Sequence, residues 1–315
     1  MLKIALVGVG GISGAHIPAW ESMKDAELVA LCDIRPEQMD KYPNKRRYTD
    51  FDEMLAKEEI DILDICLPTY LHADFSVKAM EKGINVICEK PVSLKKEDVA
   101  RVYAAAEKNN VKFMIAQVLR FWPEYEIVKK IYDEKTYGNL LSGSMTRLGC
   151  RPKWSWDNWM TDKNRSGLVP FDLHIHDLDF MVYAFGKPAK TNAFKSTTET
   201  QDYLNTVYRY DGFFISTEAS WYASPYPFKA AFRFQFEHAV VAWENGEMKI
   251  YEENGKIWSP ISGDDGLDTG NIGLPASDAY ANEIRYFTDC VENGVFPDKV
   301  KPAELEAVLD ILNTL

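Results

Sequence analysis

The first part of the chain alternates short apolar runs with longer amphipathic stretches. Runs of this length predict buried strands, whereas stretches with apolar residues at helical spacing predict helices. The strands are predicted at Ile4–Val7, Leu28–Cys32, Ile60–Cys66, Asn85–Cys88 and Lys112–Ala116, and the helices at Pro36–Lys41, Phe51–Ala56, Leu71–Lys82 and Lys95–Asn109. This alternation indicates an α/β domain, a doubly wound parallel sheet with helices on both faces.

The pattern changes at Gln117–Pro123, where we place the boundary between a domain of residues 1–120 and one of residues 121–315. Beyond it, alternating apolar and polar residues predict an antiparallel sheet, and Asp-Gly and Asn-Gly pairs predict tight hairpins. The strands are expected at Leu141–Arg147, Thr206–Tyr210, Phe213–Ala219, Ala231–Phe236, Val240–Trp243 and Met248–Tyr251. Helices are expected at Glu124–Asp133, Pro170–Phe185, Ala279–Glu292 and Pro302–Leu315, and a loop at Ser259–Pro275.

Composition narrows the function classes. The 315 residues carry 36 basic and 48 acidic side chains, a net charge of −12 that argues against binding nucleic acid or an acidic membrane surface. The apolar runs are shorter than the ~20 residues that span a bilayer. The five cysteines lack metal-site spacing and indicate core thiols in a reducing cytoplasm. Because the first strand starts at Lys3, no targeting peptide is expected before it.

The end of the first apolar run carries the first chemical signal. Ile4–Val7 leads directly into Gly8-Val9-Gly10-Gly11-Ile12-Ser13-Gly14. In a dinucleotide-binding turn, the first glycine permits the turn, the second lets the backbone approach a pyrophosphate, and the following helix directs N–H groups at the anion. Ser13 stands where a third glycine is usual, and the turn alone could be an ordinary loop.

The second strand ends in Asp33, which could accept hydrogen bonds from ribose hydroxyls or could cap the next turn. Its charge favours NAD, and Arg35 keeps NADP as the alternative. The order of strand, turn, helix, strand and acid predicts a Rossmann domain. The expected cofactor-binding residues are Gly8, Gly10, Gly11, Ile12, Ser13, Asp33, Ile34, Leu67, Pro68, Thr69, His72, Glu89, Lys90 and Gln117.

Lys90 follows a buried strand, at the edge where ligands of doubly wound sheets bind. A lysine there can donate to a substrate oxygen and stabilise a developing alkoxide, although most lysines are simply solvated. Glu89 and Pro91 frame a defined turn around it. We therefore favour a functional role for Lys90.

The helix predicted at Pro170–Phe185 carries the second candidate group. Asp172 and His176 are four residues apart and share a face, so the imidazole could shuttle a proton beside the carboxylate. A solvated polar face is the equal alternative. His174 and His176 would point about 200° apart on a helix, which argues against a metal site, and His174 is expected to pack or hydrogen-bond at the domain surface.

Three further residues have an open role. His72 opens a helix and could line a nicotinamide pocket or cap that helix. Arg120 could bind substrate oxygens or pair with an acid across the domain junction. Trp156 could wall a polyol site or anchor packing. His16 gives no signal beyond structure.

Taken together, these residues resemble the glucose–fructose oxidoreductase/inositol dehydrogenase (Gfo/Idh/MocA) family. The resemblance rests on Gly8-x-Gly10-x-x-Ser13 with His16 and Asp33, Leu67-Pro68-Thr69-x-x-His72, Glu89-Lys90-Pro91, Arg120-Phe121-x-Pro123, and Gly167 followed by Asp172-x-x-x-His176-x-x-Asp179. The glycine run at Ser166-Gly167-Leu168 is leaner than is usual in the family, and His174 takes a position where a small or apolar residue is common.

The family resemblance implies a Rossmann domain followed by an α+β domain with a large, open-faced, mostly antiparallel sheet. It implies hydride transfer between a nicotinamide cofactor and a sugar, inositol or related polyol or ketose, with Lys90 catalytic, Asp172 binding substrate and His176 as the acid/base. Two alternatives remain: a glycosidase-type enzyme that uses NAD for transient oxidation, and a non-catalytic sugar or nucleotide sensor. A homodimer or homotetramer is also expected.

Overall fold

The computed structural model describes residues 1–261 and 277–315, which form two compact units. The first unit contains residues 1–118 and 277–306, and the second contains residues 119–261 and Ala307–Leu315. Most of the predicted loop Ser259–Pro275 therefore lies outside the described residues. No helix among the described residues is both long enough and apolar enough to cross a membrane.

The first unit is built on a six-stranded parallel sheet, in the order β3-β2-β1-β4-β5-β6. Its strands are β1 (Leu2–Val7), β2 (Ala26–Cys32), β3 (Arg46–Tyr48), β4 (Ile62–Ile65), β5 (Asn85–Glu89) and β6 (Phe113–Ala116). Its helices are α1 (Ser13–Glu21), α2 (Phe51–Lys57), α3 (His72–Met80), α4 (Glu97–Lys108) and the later α8 (Ala279–Glu292). The strand order reverses between β1 and β4, the point at which ligands of such sheets bind.

The second unit is built on an eight-stranded sheet, in the order β14-β13-β12-β11-β7-β10-β9-β8. The strands are β7 (Leu140–Cys150), β8 (Lys190–Thr197), β9 (Asp202–Arg209), β10 (Phe214–Tyr222), β11 (Lys229–Phe236), β12 (Ala239–Glu244), β13 (Glu247–Glu252) and β14 (Ile257–Trp258). Neighbouring strands run antiparallel except β7 and β10, which are parallel. The predicted fold class is therefore confirmed.

Helices cover one face of this second sheet. They are α5 (Pro123–Glu134), α6 (Lys163–Ser166) and α7 (Ile175–Phe185), and α9 (Pro302–Leu312) closes the chain. Tyr125 of α5 makes edge contacts with Phe180 of α7 and with Phe232 of β11. The opposite face carries half-exposed small residues such as Ser144 and Ser216, so it is open in the single chain.

Three strands lack a sequence signal, because each is an edge or a short polar segment. β8 is an exposed edge strand without apolar alternation, β3 has the sequence RRY, and β14 has two residues. The helix predicted at Pro170–Phe185 is two elements, a π-helical turn at Pro170–His174 and then α7. Residues 277–306, which the sequence-based division put in the second domain, cluster with the first because α8 packs on α1 and β5.

Candidate active site

Gly8 follows β1 and lies against the carboxyl ends of β2 and β4. Its N–H donates to the Cys32 carbonyl oxygen at 2.8 Å, and its φ of +92° is a left-handed conformation that favours glycine. A Cβ at this position would lie 2.6 Å from the Cys66 carbonyl oxygen. The first glycine of the turn is therefore required by the protein's own packing.

Gly10 has a different reason to be glycine. A Cβ there would meet no atom of the described residues within 4 Å. Packing within the protein therefore does not require this glycine, and close approach of its backbone to a ligand phosphate stays a prediction. Ser13, in place of the third glycine, is buried and donates its hydroxyl hydrogen to the Gly10 carbonyl oxygen at 2.8 Å, which fixes the turn.

The start of α1 fits an anion. Within the described part of the chain, no side chain caps this helix, and its first turn contains no acidic residue. The N–H groups at the start of a helix attract a phosphate when protein side chains do not satisfy them. The turn is therefore chemically suited to the pyrophosphate of a dinucleotide.

Asp33 is held at the end of β2 by backbone groups. One carboxylate oxygen accepts the Val9 N–H and the other accepts the Arg35 N–H, each at 2.9 Å. A carboxylate oxygen accepts more than one hydrogen bond, so ribose hydroxyls can still donate to this group. The Arg35 Nε lies 3.4 Å from the same carboxylate, so the Arg35 guanidinium forms an ion pair with Asp33. These contacts fit NAD better than NADP.

The other predicted cofactor residues divide by exposure. Ile34 is 63% exposed, and Gly11, Ile12, Leu67, Pro68 and Lys90 are at least partly exposed. Thr69, His72, Glu89 and Gln117 are buried. The first group is accessible to a ligand, whereas the side chains of the second group are largely shielded from solvent.

Lys90 follows β5 and precedes Pro91 through a cis peptide bond. Its N–H donates to the Glu89 carboxylate at 3.1 Å, and its side chain is half-buried. His72, which is 1% exposed, reaches the carbonyl oxygen of Pro91 at 2.6 Å and that of Leu67 at 2.7 Å. Burial lowers the pKa of His72, although the two carbonyl groups oppose the shift.

A buried hydrogen-bond network that no sequence motif predicts lies close to this turn. His16 Nδ1 lies 2.8 Å from an Asp64 carboxylate oxygen, and His16 Nε2 lies 2.9 Å from a Glu89 oxygen. The Trp20 indole donates to the same Asp64 oxygen at 2.7 Å. Burial disfavours the charged imidazole, yet the charges and hydrogen bonds of Asp64 and Cys66 together outweigh burial and hold the pKa of His16 well above its ordinary value.

Two features complete the surroundings of this network. His16, Asp64 and Cys66 have atoms that could bind a metal ion, and these atoms lie within 4.8 Å of one another. However, the Trp20 indole N–H donates to Asp64, so its hydrogen would face a cation bound there. We therefore describe these residues as a hydrogen-bonded cluster. Glu283 of α8 is fully buried, and neither of its oxygens has a hydrogen-bond partner among residues 1–261 and 277–315. Burial, and then the Glu89 charge, raises the pKa of Glu283 well above its ordinary value.

In the second unit, two buried ion pairs anchor α7. Arg147 of β7 donates to Asp177 at 2.8 Å. Arg120 makes two hydrogen bonds to Asp179, at 2.8 and 2.6 Å. Asp179 is therefore part of the interior, whereas His176, which directly precedes Asp177, is half-buried, as is Asp172. A π-helical turn carries Asp172, a distortion that is frequent at functional sites.

The structure corrects two interpretations of this region. Arg120 is 0% exposed, and its guanidinium pairs with Asp179 and stacks on Tyr183. Of the two roles expected for Arg120, the structure therefore supports pairing with an acid and not contact with substrate. His174 hydrogen-bonds as expected, to the Tyr208 hydroxyl at 2.6 Å, but it is fully buried instead of at the domain surface. Trp156 is 39% exposed, so its two sequence-based alternatives both stay open.

Two models of one protein family match the chain. Residues 2–117 match the model of an oxidoreductase family with an NAD-binding Rossmann fold, and residues 125–254 match the C-terminal domain model of the same family. The chain belongs to the Gfo/Idh/MocA family. The resemblance drawn from the motifs is thereby confirmed.

Curated members of the Gfo/Idh/MocA family include several sugar dehydrogenases. The chain is 29% identical to a D-apiose dehydrogenase of Paraburkholderia graminis over 58% of its own length and 50% of that protein. It is 28% identical to a glucose-6-phosphate 3-dehydrogenase of Bacillus subtilis over 64% of its length and 58% of that protein. The matched region thus spans 50% to 58% of the length of these relatives.

A solved structure of the family gives the same fold. Levoglucosan dehydrogenase in complex with NADH and levoglucosan superimposes with a TM-score of 0.84 at 20% identity, covering 99% of this chain and 95% of that one. At this identity the likeness shows the fold alone.

Proposed function

We propose that this chain is an NAD-dependent oxidoreductase that acts on a CH–OH group of a sugar, inositol or related polyol, or on the corresponding ketone. The observation that carries the proposal is the turn from Gly8 to Ser13. The Asp33 carboxylate accepts a hydrogen bond from the Val9 N–H of this turn, and the space beside the Gly10 Cα is unfilled by described atoms. Lys90 follows β5, which belongs to the same sheet and is separated from β1 by β4. The D-apiose and glucose-6-phosphate relatives support this class of substrate.

The proposed mechanism assigns separate tasks to the side chains. NAD, when bound, supplies the acceptor for the hydride. The Lys90 ammonium donates to the carbinol oxygen and stabilises negative charge as it develops there. His176 accepts the hydroxyl proton, and Asp172 binds a neighbouring hydroxyl group or orients His176. In the reductive direction His176 returns the proton.

A substrate panel tests this proposal. The purified chain is incubated with inositols, aldoses and sugar acids, each with NAD and with NADP, and NADH or NADPH absorbance is followed. We expect turnover with at least one polyol, with NAD preferred because a 2′-phosphate would face the Asp33 carboxylate. A matched Lys90→Met variant keeps the length of the side chain and is expected to lose turnover. Failure of every compound with both cofactors would contradict the proposal.

A second candidate function is transient oxidation by a retained NAD. It is favoured by relatives that are 2,7-anhydro-N-acetylneuraminate hydratases, among them one from Mediterraneibacter gnavus that is 27% identical over 185 residues. In such a cycle the sugar would change without net NADH. Product analysis by NMR, run beside the absorbance assay, distinguishes the two functions.

We also propose that the chain self-associates through the open face of its eight-stranded sheet. Phe194, Phe214 and Tyr251 project from this face and are 67%, 48% and 41% exposed. Exposed apolar side chains on one sheet face favour pairing with another copy. Light scattering is expected to give the mass of a homodimer or homotetramer. No nucleic acid or membrane partner is proposed.

The cytoplasm is the proposed compartment. All five cysteines are free thiols, and four of them are buried, a state that a reducing environment preserves. A thiol titration of protein purified without reductant is expected to find all five reduced after denaturation.

A further inference from the structure

The backbone on both sides of the Lys90 side chain is bonded by buried side chains. Before it, the Lys90 N–H donates to a Glu89 carboxylate oxygen at 3.1 Å. After it, a ring nitrogen of His72 reaches the Pro91 carbonyl oxygen at 2.6 Å. Two contacts of this kind fix the peptide units from which the lysine projects.

His72 joins this turn to a second strand end. Its other ring nitrogen reaches the Leu67 carbonyl oxygen at 2.7 Å, in the segment that follows β4. One imidazole therefore links the turns after β4 and β5. Each ring nitrogen lies against a carbonyl oxygen and the side chain is 1% exposed, so the protein encloses the ring.

The Glu89 carboxylate is oriented by a buried histidine. Its second oxygen lies 2.9 Å from His16 Nε2, and His16 Nδ1 lies 2.8 Å from Asp64. The side chains of His16 and Asp64 are 0% exposed, and that of Glu89 is 8% exposed. The carboxylate of Glu89 is thus held by a histidine on one side and the Lys90 N–H on the other.

We propose that Glu89 and His72 are positioning residues for Lys90, and that His16 orients Glu89. The proposal rests on the role given to Lys90 under the proposed function. It replaces direct contact with the cofactor, the role expected for Glu89 and His72 from the sequence, because both side chains are buried and lie against protein groups.

The matched pair of variants is Glu89→Gln and Glu283→Gln. Both residues are buried glutamates of the first unit, but Glu283 has no hydrogen bond to the turn in the described residues. In Glu89→Gln the amide cannot accept from both His16 and Lys90 as a carboxylate does, so the lysine shifts. We expect kcat to fall about 10- to 100-fold, because small misplacements of a reacting group have effects of this size. Glu283→Gln is expected to stay within about threefold of wild type.

Comparing the effect on kcat with the effect on cofactor affinity decides whether Glu89 positions Lys90 or contacts the cofactor directly. For Glu89→Gln the Kd of NADH, measured by fluorescence titration, is expected to remain within about threefold of wild type. A loss of NADH affinity as large as the loss of kcat would overturn the proposal in favour of direct contact, and an unchanged kcat would overturn it outright. His72→Asn, which keeps one donor for the Pro91 carbonyl, provides a second variant if Glu89→Gln does not fold.

A spectroscopic measurement tests the hold on Lys90 without using activity. In protein labelled with ¹⁵N-lysine, the Lys90 amide proton should move upfield in Glu89→Gln, since its acceptor loses its charge, and stay in place in Glu283→Gln. An unmoved signal in Glu89→Gln contradicts the proposal. Absence of sugar oxidation by the wild type would contradict only the proposed function, so the two failures are distinguishable.

Discussion

Gly8 shows most directly how one residue sets the opening turn. It combines a positive φ with a neighbouring carbonyl oxygen where a Cβ would have to lie. Gly14 lies in α1, and a Cβ there would meet no described atom within 4 Å. The two glycines are therefore a matched pair for testing what the turn requires.

The first prediction concerns this pair. Gly8→Ala should destabilise the protein by about 3 kcal/mol, because the left-handed backbone and the clash with the Cys66 carbonyl oxygen both oppose a side chain. Gly14→Ala should be neutral or slightly stabilising, since alanine is favoured within a helix. Urea unfolding followed by circular dichroism measures both. Equal free energies of unfolding for the two variants would contradict the prediction.

The second prediction concerns the proposed acid/base residue. His176→Ala should reduce kcat by about 10²- to 10⁴-fold, the range for loss of a general base, while the Kd of NADH is unchanged. His238→Ala is the control, because that histidine is exposed and pairs with Glu253. Steady-state absorbance and fluorescence titration provide the two readouts. Turnover equal to wild type would remove His176 from the mechanism.

At the scale of elements, the position of α7 depends on two acidic residues that are buried, although the sequence pattern does not distinguish them from solvated polar residues. Asp177 and Asp179 both point inward and pair with arginines of β7 and of the segment before α5. A buried pair of this kind is strongly destabilised when one partner is removed, because the other charge remains buried. The helix that carries His176 is thus held at fixed points.

The third prediction compares a buried pair with an exposed one. Asp179→Ala should lower the free energy of unfolding by about 3–5 kcal/mol, since Arg120 would be left buried without its carboxylate. Asp133→Ala, which breaks the exposed pair with Lys129, should change it by less than about 0.5 kcal/mol. Denaturant titrations of both variants measure the difference. A loss at Asp179 as small as that at Asp133 would be inconsistent with the buried geometry.

The fourth prediction concerns pH. Burial, and then the Arg147 charge, lowers the pKa of His174 from 6.5 to about 3. In the unfolded chain this histidine binds a proton as the pH falls below about 6.5, but in the folded chain it stays neutral until about pH 3. Its contribution to stability is therefore complete above pH 6.5 and is lost as the pH falls toward 3, by about 1.4 kcal/mol per pH unit.

His174→Gln tests this pH effect. Glutamine does not titrate and can reach the Tyr208 hydroxyl, so the variant should lose less stability than wild type between about pH 6 and pH 4. Unfolding free energies at several pH values give the two slopes. Parallel slopes would show that His174 is not the group responsible.

At the scale of the whole molecule, the eight-stranded sheet has one face that no described helix covers. The fifth prediction is that Phe194→Asp combined with Phe214→Asp lowers the mass measured by light scattering toward that of a single chain. Charged side chains in an apolar contact are unfavourable, and both positions are exposed in the single chain, so folding should be retained. Lys195→Asp, on the same strand β8, serves as a charge-matched control.

Much of the fold follows from local pattern. Apolar runs, glycine turns and helical spacing act over a few residues, so strands such as β4 and helices such as α8 are evident from the chain itself. Edge strand β8 is not, because it buries little and shows no alternation. The π-helical turn at Pro170–His174 also escapes prediction, since a straight helix has the same apolar spacing.

The sequence by itself determined the Rossmann pattern, the turn at Gly8, the acid at Asp33 and the place of Lys90 at a strand end. Each of these depends on residue type and near-neighbour spacing. Only the tertiary structure decided that Arg120 pairs with Asp179, and that His16 bridges Asp64 and Glu89, which lie 48 and 73 positions further along the chain. A buried polar group needs a partner, but which residue supplies it depends on how distant segments pack, and local spacing does not encode that.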